Sequence, residues 1–252
     1  MRTRDLPVEH ELTPFASGFP PGKRWLFLSP HPDDEVLGPA GTLVRAHREG
    51  VEIALVIVTD GGAQGSAVER EAEARAASAT LGLAEPVFLR FADRSLRSPD
   101  PKLQRAIVDL LRRFAPDTLF VTSPVELHPD HRALAVTAHR ALRSWSLWGT
   151  RRRPPVWVAA YEVATPLLPN LLVAVDETWE VKRQAAACYA SQLAYRRYDL
   201  VMEALATQRT LTLEGVRRAE ALHVLPVRQV VRQRAGAWAS RMGSPVGLRR
   251  QR

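Results

Sequence analysis

Short apolar runs alternate with longer segments in which apolar positions recur at helical spacing. Trp25 to Leu28 reads as a buried strand, and Pro32 to Arg48 has a helical pattern carried by Val36, Leu37, Leu43, Val44 and His47. Pro32 suits a first helical turn, where its missing N–H leaves no bond unmade, and Gly50 suits the far end. Ile53 to Val58 is almost continuously β-branched and apolar, the mark of a parallel strand covered on both faces. A glycine-rich loop from Thr59 to Gly65 leads to a helix over about Ala67 to Leu81, closed by Gly82. The alternation continues with strands at Val87 to Leu89 and Thr118 to Val121, and helices over Asp100 to Phe114 and His131 to Leu142.

Beyond that point the pattern loosens. Residues 143–155 hold four arginines and two prolines and read as an excursion. Val156 to Ala160 and Leu171 to Val175 read as further, edge-like strands, followed by helices over Glu177 to Ala194, Tyr198 to Thr207 and, shorter, Glu214 to Ala221. Strands separated by helices of ten or more residues predict a single α/β domain with a mostly parallel sheet and right-handed crossovers. The expected division is a polar arm at 1–23, the domain at 24–226 and a basic C-terminal segment at 227–252.

With 252 residues, the chain accommodates one well-buried domain of this class. No apolar run approaches the length of a membrane span, and nothing near the N-terminus reads as a secretory signal, so no membrane insertion is expected. A lone cysteine, Cys188, suits a reducing cytoplasm. The formal charge of +8 comes from arginine, since Lys23, Lys102 and Lys182 are the only lysines. Those arginines are spread out and do not interleave with aromatics as base stacking requires, so no nucleic-acid partner is expected. A compact α/β domain of this kind is compatible with a homo-oligomer. Neither the Gly-x-Gly-x-x-Gly turn of dinucleotide sites nor the Gly-x-Ser-x-Gly elbow of serine hydrolases occurs.

Two clusters carry the chemistry. Ser29-Pro-His-Pro-Asp-Asp-Glu35 follows the first strand, and His128-Pro-Asp-His131 follows the strand at 118–121. Acids behind a proline can simply cap a helix, but capping needs no histidine in either place. Ligands of open parallel sheets bind outside the carboxyl ends of the strands, where both clusters fall. His31, Asp34 and His131 can form a His-Asp-His metal triad, because residues three apart in a first turn can face one centre. Asp33 points elsewhere and suits a general base beside an acidified water. His128 suits an imidazolium that stabilises an oxyanion and protonates a leaving nitrogen, with Asp130 orienting its ring.

Taken together, these clusters resemble the LmbE/PIG-L family of metal-dependent N-deacetylases. Thr59-Asp-Gly-Gly62, Arg70-Glu-Ala-Glu73, Phe91-Ala-Asp-Arg94 and later segments around Tyr161-Glu162, Lys182, Ser191-Gln192 and Ala219-Glu220 extend the likeness over about residues 24–225. The resemblance implies a Rossmann-like sheet without nucleotide, and a Zn2+ site, with Fe2+ as the alternative, on His31, Asp34 and His131. It implies Asp33 as general base, His128 as oxyanion stabiliser or acid, and Asp130 as its carboxylate partner. The implied reaction removes acetyl from an N-acetylglucosamine-containing conjugate. Arg70 and Asp93 are candidate substrate-binding residues, although an exposed helical salt bridge accounts for Arg70 almost as well. One departure is Pro39-Ala-Gly41, where members often carry a Gly-Gly run; it is expected to reshape the helix near Asp34. An arginine-rich rim at 143–155 would favour anionic conjugates.

Overall fold

The computed structural model of the protein describes residues 8–147 and 155–243. In chain order the elements are α1 (Glu9–Leu12), β1 (Arg24–Ser29), α2 (Asp34–Leu37), α3 (Ala40–Arg48), β2 (Glu52–Thr59), α4 (Ala67–Thr80), β3 (Val87–Phe91), α5 (Pro101–Phe114), β4 (Thr118–Thr122) and α6 (Pro129–Leu147). They continue with β5 (Trp157–Tyr161), β6 (Leu171–Ala174), α7 (Trp179–Ala187), α8 (Ala190–Tyr195), α9 (Tyr198–Gln208), β7 (Ala219–Pro226), α10 (Val227–Arg232) and α11 (Ala235–Ser240). One seven-stranded sheet runs in the order β3-β2-β1-β4-β5-β7-β6. The first five strands of that order are parallel, and β7 lies antiparallel between β5 and β6.

Alternation along each strand builds a core on either face. Leu26, Leu28, Val56, Val58, Leu119 and Val121 point to the side covered by α5, α6 and α10. Trp25, Phe27, Leu55, Ile57 and Phe120 point to the side covered by α3, α4 and α7. The chain leaves β1 toward β2 on one side and reaches β4 on the other. A crevice therefore opens beyond the carboxyl ends of β1 and β4, where the crossovers part to opposite sides.

Four expectations change. The helix expected from Pro32 to Arg48 is two helices broken at Gly38-Pro39. Pro39 has no N–H to continue the first helix, and a Cβ on Gly38 would stand 2.9 Å from the Tyr161 ring, so the aromatic is pressed into the break. The helix expected over 177–194 breaks at Tyr189, whose hydroxyl donates to Glu35. The short helix expected over Glu214 to Ala221 gives way to β7, because pairing with both β5 and β6 outweighs the helical preference of alanine, glutamate and leucine. Finally, residues 227–243, expected to stand apart as a basic C-terminal segment, pack onto the domain: Val227, Val230, Trp238 and Met242 are buried in the core. Most of the arginine-rich excursion, 148–154, lies outside the described residues.

Candidate metal and catalytic site

β1 ends at Ser29, and the chain turns so sharply that Asp33 takes φ 123°, a conformation rare for a residue with a side chain. Neighbouring groups hold this strained turn. The Asp33 N–H donates to Glu35 Oε2 at 3.2 Å, and Ser29 Oγ donates to the same oxygen. Arg70 from α4 donates to the Pro32 carbonyl and, at 3.0 Å, to Asp33 Oδ2. Gly61 is required here: its φ is 64°, and an added Cβ would stand 3.0 Å from Pro32 and 3.1 Å from Arg70. Glu35 thus braces the Asp33 turn. Burial raises its carboxyl to about 7, the Asp33 charge adding to the rise and the Tyr189 hydrogen bond opposing it.

From the other side, α6 begins at Pro129, two residues earlier than expected, and delivers His131. Three ligand atoms converge there. His31 Nδ1 lies 3.1 Å from Asp34 Oδ2 and 3.2 Å from His131 Nε2, and His131 Nε2 lies 3.0 Å from Asp34 Oδ2. Tetrahedral ligands on bonds of about 2.0–2.1 Å stand about 3.3 Å apart, so the triad has the dimensions of a zinc-type site. Its electrostatics agree. Although burial opposes the charge on both rings, Asp130, Asp34 and Asp93 hold His31 well above its ordinary value, and Asp34 and Glu126 raise His131 to about 9. Against burial, His131 and His31 together keep Asp34 far below the usual carboxylate range. This pocket is built to hold positive charge, and the donors are those a divalent metal requires.

The nitrogens turned away from that centre meet carboxylates. His31 Nε2 lies 3.1 Å from Asp93 Oδ1 and 3.2 Å from Asp130 Oδ2. Asp130 also accepts the N–H groups of Arg94 and Leu96, and Asp93 accepts that of Ala63. His131 Nδ1 faces Glu126 Oε2 at 3.7 Å.

His128 sits against this group, its ring 4.5 Å from that of His31. A looser trio of His31, His128 and His131 has ligand atoms within 4.8 Å of one another. Yet His128 Nδ1 already accepts the Asp130 N–H at 3.2 Å, which leaves Nε2 as the proton-bearing nitrogen. Two sequence expectations change as a result. The Asp130 side chain serves His31, and only its backbone orients His128. Burial and the neighbouring rings also lower His128 to about 4, which favours the neutral ring over the imidazolium expected.

All these groups meet at a cavity of about 470 Å³ lined by His31, Asp33, Asp34, His128 and His131, with Asp130 buried beneath it. Arg70 and Asp93 reach the same cavity, but both are engaged: Arg70 on Asp33, Asp93 on His31 and Ala63. Arg70 also meets Glu73 one turn along α4 at 3.5 Å, so the helical salt bridge is present, but at 3% exposure of Arg70 it is buried rather than exposed. Burial raises Asp33 to about 6, the Asp34 charge adding to the rise and Arg70 and His31 opposing it. Sequence reasoning missed Glu126, whose only signal is an acid two residues before His128, and the cavity residues Arg94, Arg196 and Tyr198.

The family model for GlcNAc-PI de-N-acetylase (PIG-L) matches residues 26–142, from β1 into α6. The chain is 26% identical to diacetylchitobiose deacetylase of Thermococcus kodakarensis, over 81% of this chain and 84% of that protein. It is 27% identical to a probable N-acetyl-alpha-D-glucosaminyl L-malate deacetylase 2 of Bacillus anthracis, over 71% of this chain and 85% of that one. Among solved structures, N,N'-diacetylchitobiose deacetylase from Pyrococcus horikoshii superposes with a TM-score of 0.72 at 24% identity, covering 82% of this chain and 85% of that chain. The first-strand and fourth-strand clusters, the parallel sheet that joins them and these similarities agree: residues 26–142 match the PIG-L, LmbE-like, deacetylase family domain.

Proposed function

We propose that the protein hydrolyses the N-acetyl group of an N-acetylglucosamine-containing conjugate, releasing acetate and the free amine. The observation that carries this reading is the separation of duties within one cavity. Three atoms 3.0–3.2 Å apart suit a metal, while Asp33 and the Nε2 of His128 remain outside that triad. A metal staple would need the ligands only. His31, Asp34 and His131 would hold Zn2+, or Fe2+, since histidine and carboxylate donors suit both. Such a metal supplies Lewis acidity to the amide carbonyl and acidifies a water at neutral pH.

The remaining steps belong to the chain's own side chains. Asp33, raised to about 6, takes the proton of the attacking water and returns it to the sugar nitrogen as the C–N bond breaks. Arg70 fixes the carboxylate for both transfers. His128 keeps its proton and donates a hydrogen bond from Nε2–H to the carbonyl oxygen as negative charge grows there. Asp93 and Asp130 orient His31, and Asp93 also stands at the cavity wall where a sugar hydroxyl would reach it.

At the cavity, Arg94 and Arg196 are exposed, and Arg196 stacks at 5.9 Å on Tyr195. They favour a conjugate bearing a carboxylate or phosphate beyond the sugar. The Bacillus anthracis relative is named for such a malate conjugate, whereas the archaeal relatives are named for neutral diacetylchitobiose. A cytoplasmic location fits the single cysteine, and among the described residues no helix is long and apolar enough to cross a membrane.

Metal analysis of the purified protein, joined to acetate release from neutral and anionic N-acetylglucosamine conjugates, tests the reading. A bound divalent metal and release that stops on chelation are expected. A metal-loaded protein that leaves every such conjugate intact would sink it.

A further inference from the structure

Glu126 is a carboxylate at 1% exposure in a segment with no sequence motif, and the chemistry above does not use it. Its backbone is fixed, because Arg132 Nη1 of α6 donates to the carbonyls of Glu126 and Leu127 at 2.8 and 2.7 Å. Its Oε1 accepts the N–H groups of Val163, Ala164 and Thr165 at 2.6, 3.2 and 3.3 Å, tying down the loop after β5. Its Oε2 faces His131 Nδ1, which is buried and has no hydrogen-bond partner of its own. A buried N–H without an acceptor is destabilising, and the Glu126 carboxylate at 3.7 Å is the charged group placed to orient that ring.

We infer that Glu126 is the positioning residue for His131, fixing the ring so that Nδ1 carries the proton and Nε2 is turned, unprotonated, toward a metal. The inference rests on the metal reading of the His31–Asp34–His131 triad. It makes the two histidines alike, since each would then back its outward nitrogen onto carboxylate: His31 onto Asp93 and Asp130, His131 onto Glu126. A carboxylate placed there both selects the tautomer and raises the basicity of the opposite nitrogen. Through Oε1 the same side chain couples the ligand to Val163 and Ala164, which line the cavity.

The test is metal affinity, read by competition with a chromophoric chelator on wild type, Glu126→Gln and His131→Ala. Glutamine keeps an oxygen for the three backbone donors but loses the anion facing Nδ1. With an unchanged circular dichroism spectrum and melting temperature, Glu126→Gln is expected to bind Zn2+ about 10–100-fold more weakly. Equal affinity in a folded Glu126→Gln protein would overturn the role. Failure of the wild type itself to bind, with His131→Ala no different, would instead overturn the metal reading. Should the glutamine variant not fold, 15N-histidine spectra of the zinc-loaded wild type decide: a His131 Nδ1 proton protected from solvent exchange supports the pairing with Glu126, and one exchanging freely excludes it.

Discussion

The floor and the mouth of the cavity are built on opposite principles. On the floor every side chain is held by others: Asp33 by Arg70, His31 by Asp93 and Asp130, and Asp34 by both histidines. At the mouth, the side chains of Arg94, Tyr195 and Arg196 are exposed, and Arg196 stacks on Tyr195. The contrast follows from what each region must do. Ligand and proton-transfer atoms must be right within fractions of an ångström, and burial with multiple hydrogen bonds supplies that precision. On the proposed reading the mouth would meet the variable part of a substrate, where long cationic side chains act over distance.

The sharpest way to break the comparison is at its floor. Asp34→Ala and His131→Ala each remove one of three converging donors, and metal content and acetate release should both fall below detection. Full metal content in either variant would mean that the ligands lie elsewhere. Next in size, Asp33→Asn and His128→Ala should keep the metal while acetate release drops by roughly 10²-fold or more, if Asp33 handles a proton and His128 donates a hydrogen bond in the transition state. Metal loss in Asp33→Asn would move that residue into the ligand set.

At the mouth the effects should be smaller and sensitive to salt. Replacing Arg94 and Arg196 together by serine should lower kcat/KM for an anionic conjugate by about 2–5-fold per charge at low ionic strength, with little change for a neutral one. High salt should erase the difference by screening. Equal, salt-insensitive losses on both substrates would assign the two arginines to packing.

The smallest effect lies outside the cavity. His139 Nε2 on α6 reaches the carbonyls of Val230 and Gln233, anchoring the C-terminal helices. Burial lowers its pKa, so the unfolded chain binds this proton before the folded one does. Its contribution is therefore full above about 6.5, its ordinary value, and is lost as pH falls through the lower folded value. Urea titrations at pH 8 and pH 5 should show wild type losing more stability on acidification than His139→Gln. Equal losses would exclude this linkage.

Much of the parallel sheet was legible because each strand carries its own apolar run, from Trp25-Leu-Phe-Leu28 to Thr118-Leu-Phe-Val121. Local propensity misled where tertiary contact overrode it. Ala219 to Pro226 is rich in helix formers yet pairs as a strand between two others, and the Gly38-Pro39 break depends on Tyr161 pressing from another element. Arg70 sits in a helix dense in charged residues, and only the packing of α4 shows that it is buried. Likewise nothing local distinguishes Glu126 from a solvated loop acid; its partners lie at 131 and 163–165.

By itself the sequence determined the chemical inventory: two histidine–acid clusters at strand ends, with residue types and spacing suited to a metal, a base and a donor. Which nitrogen faces the centre, which carboxylate backs which ring and which charge state His128 holds were decided by the tertiary structure. Hydrogen-bond direction and burial are set by neighbours a hundred residues away in the chain, as His31 and His131 are, and no local pattern records them.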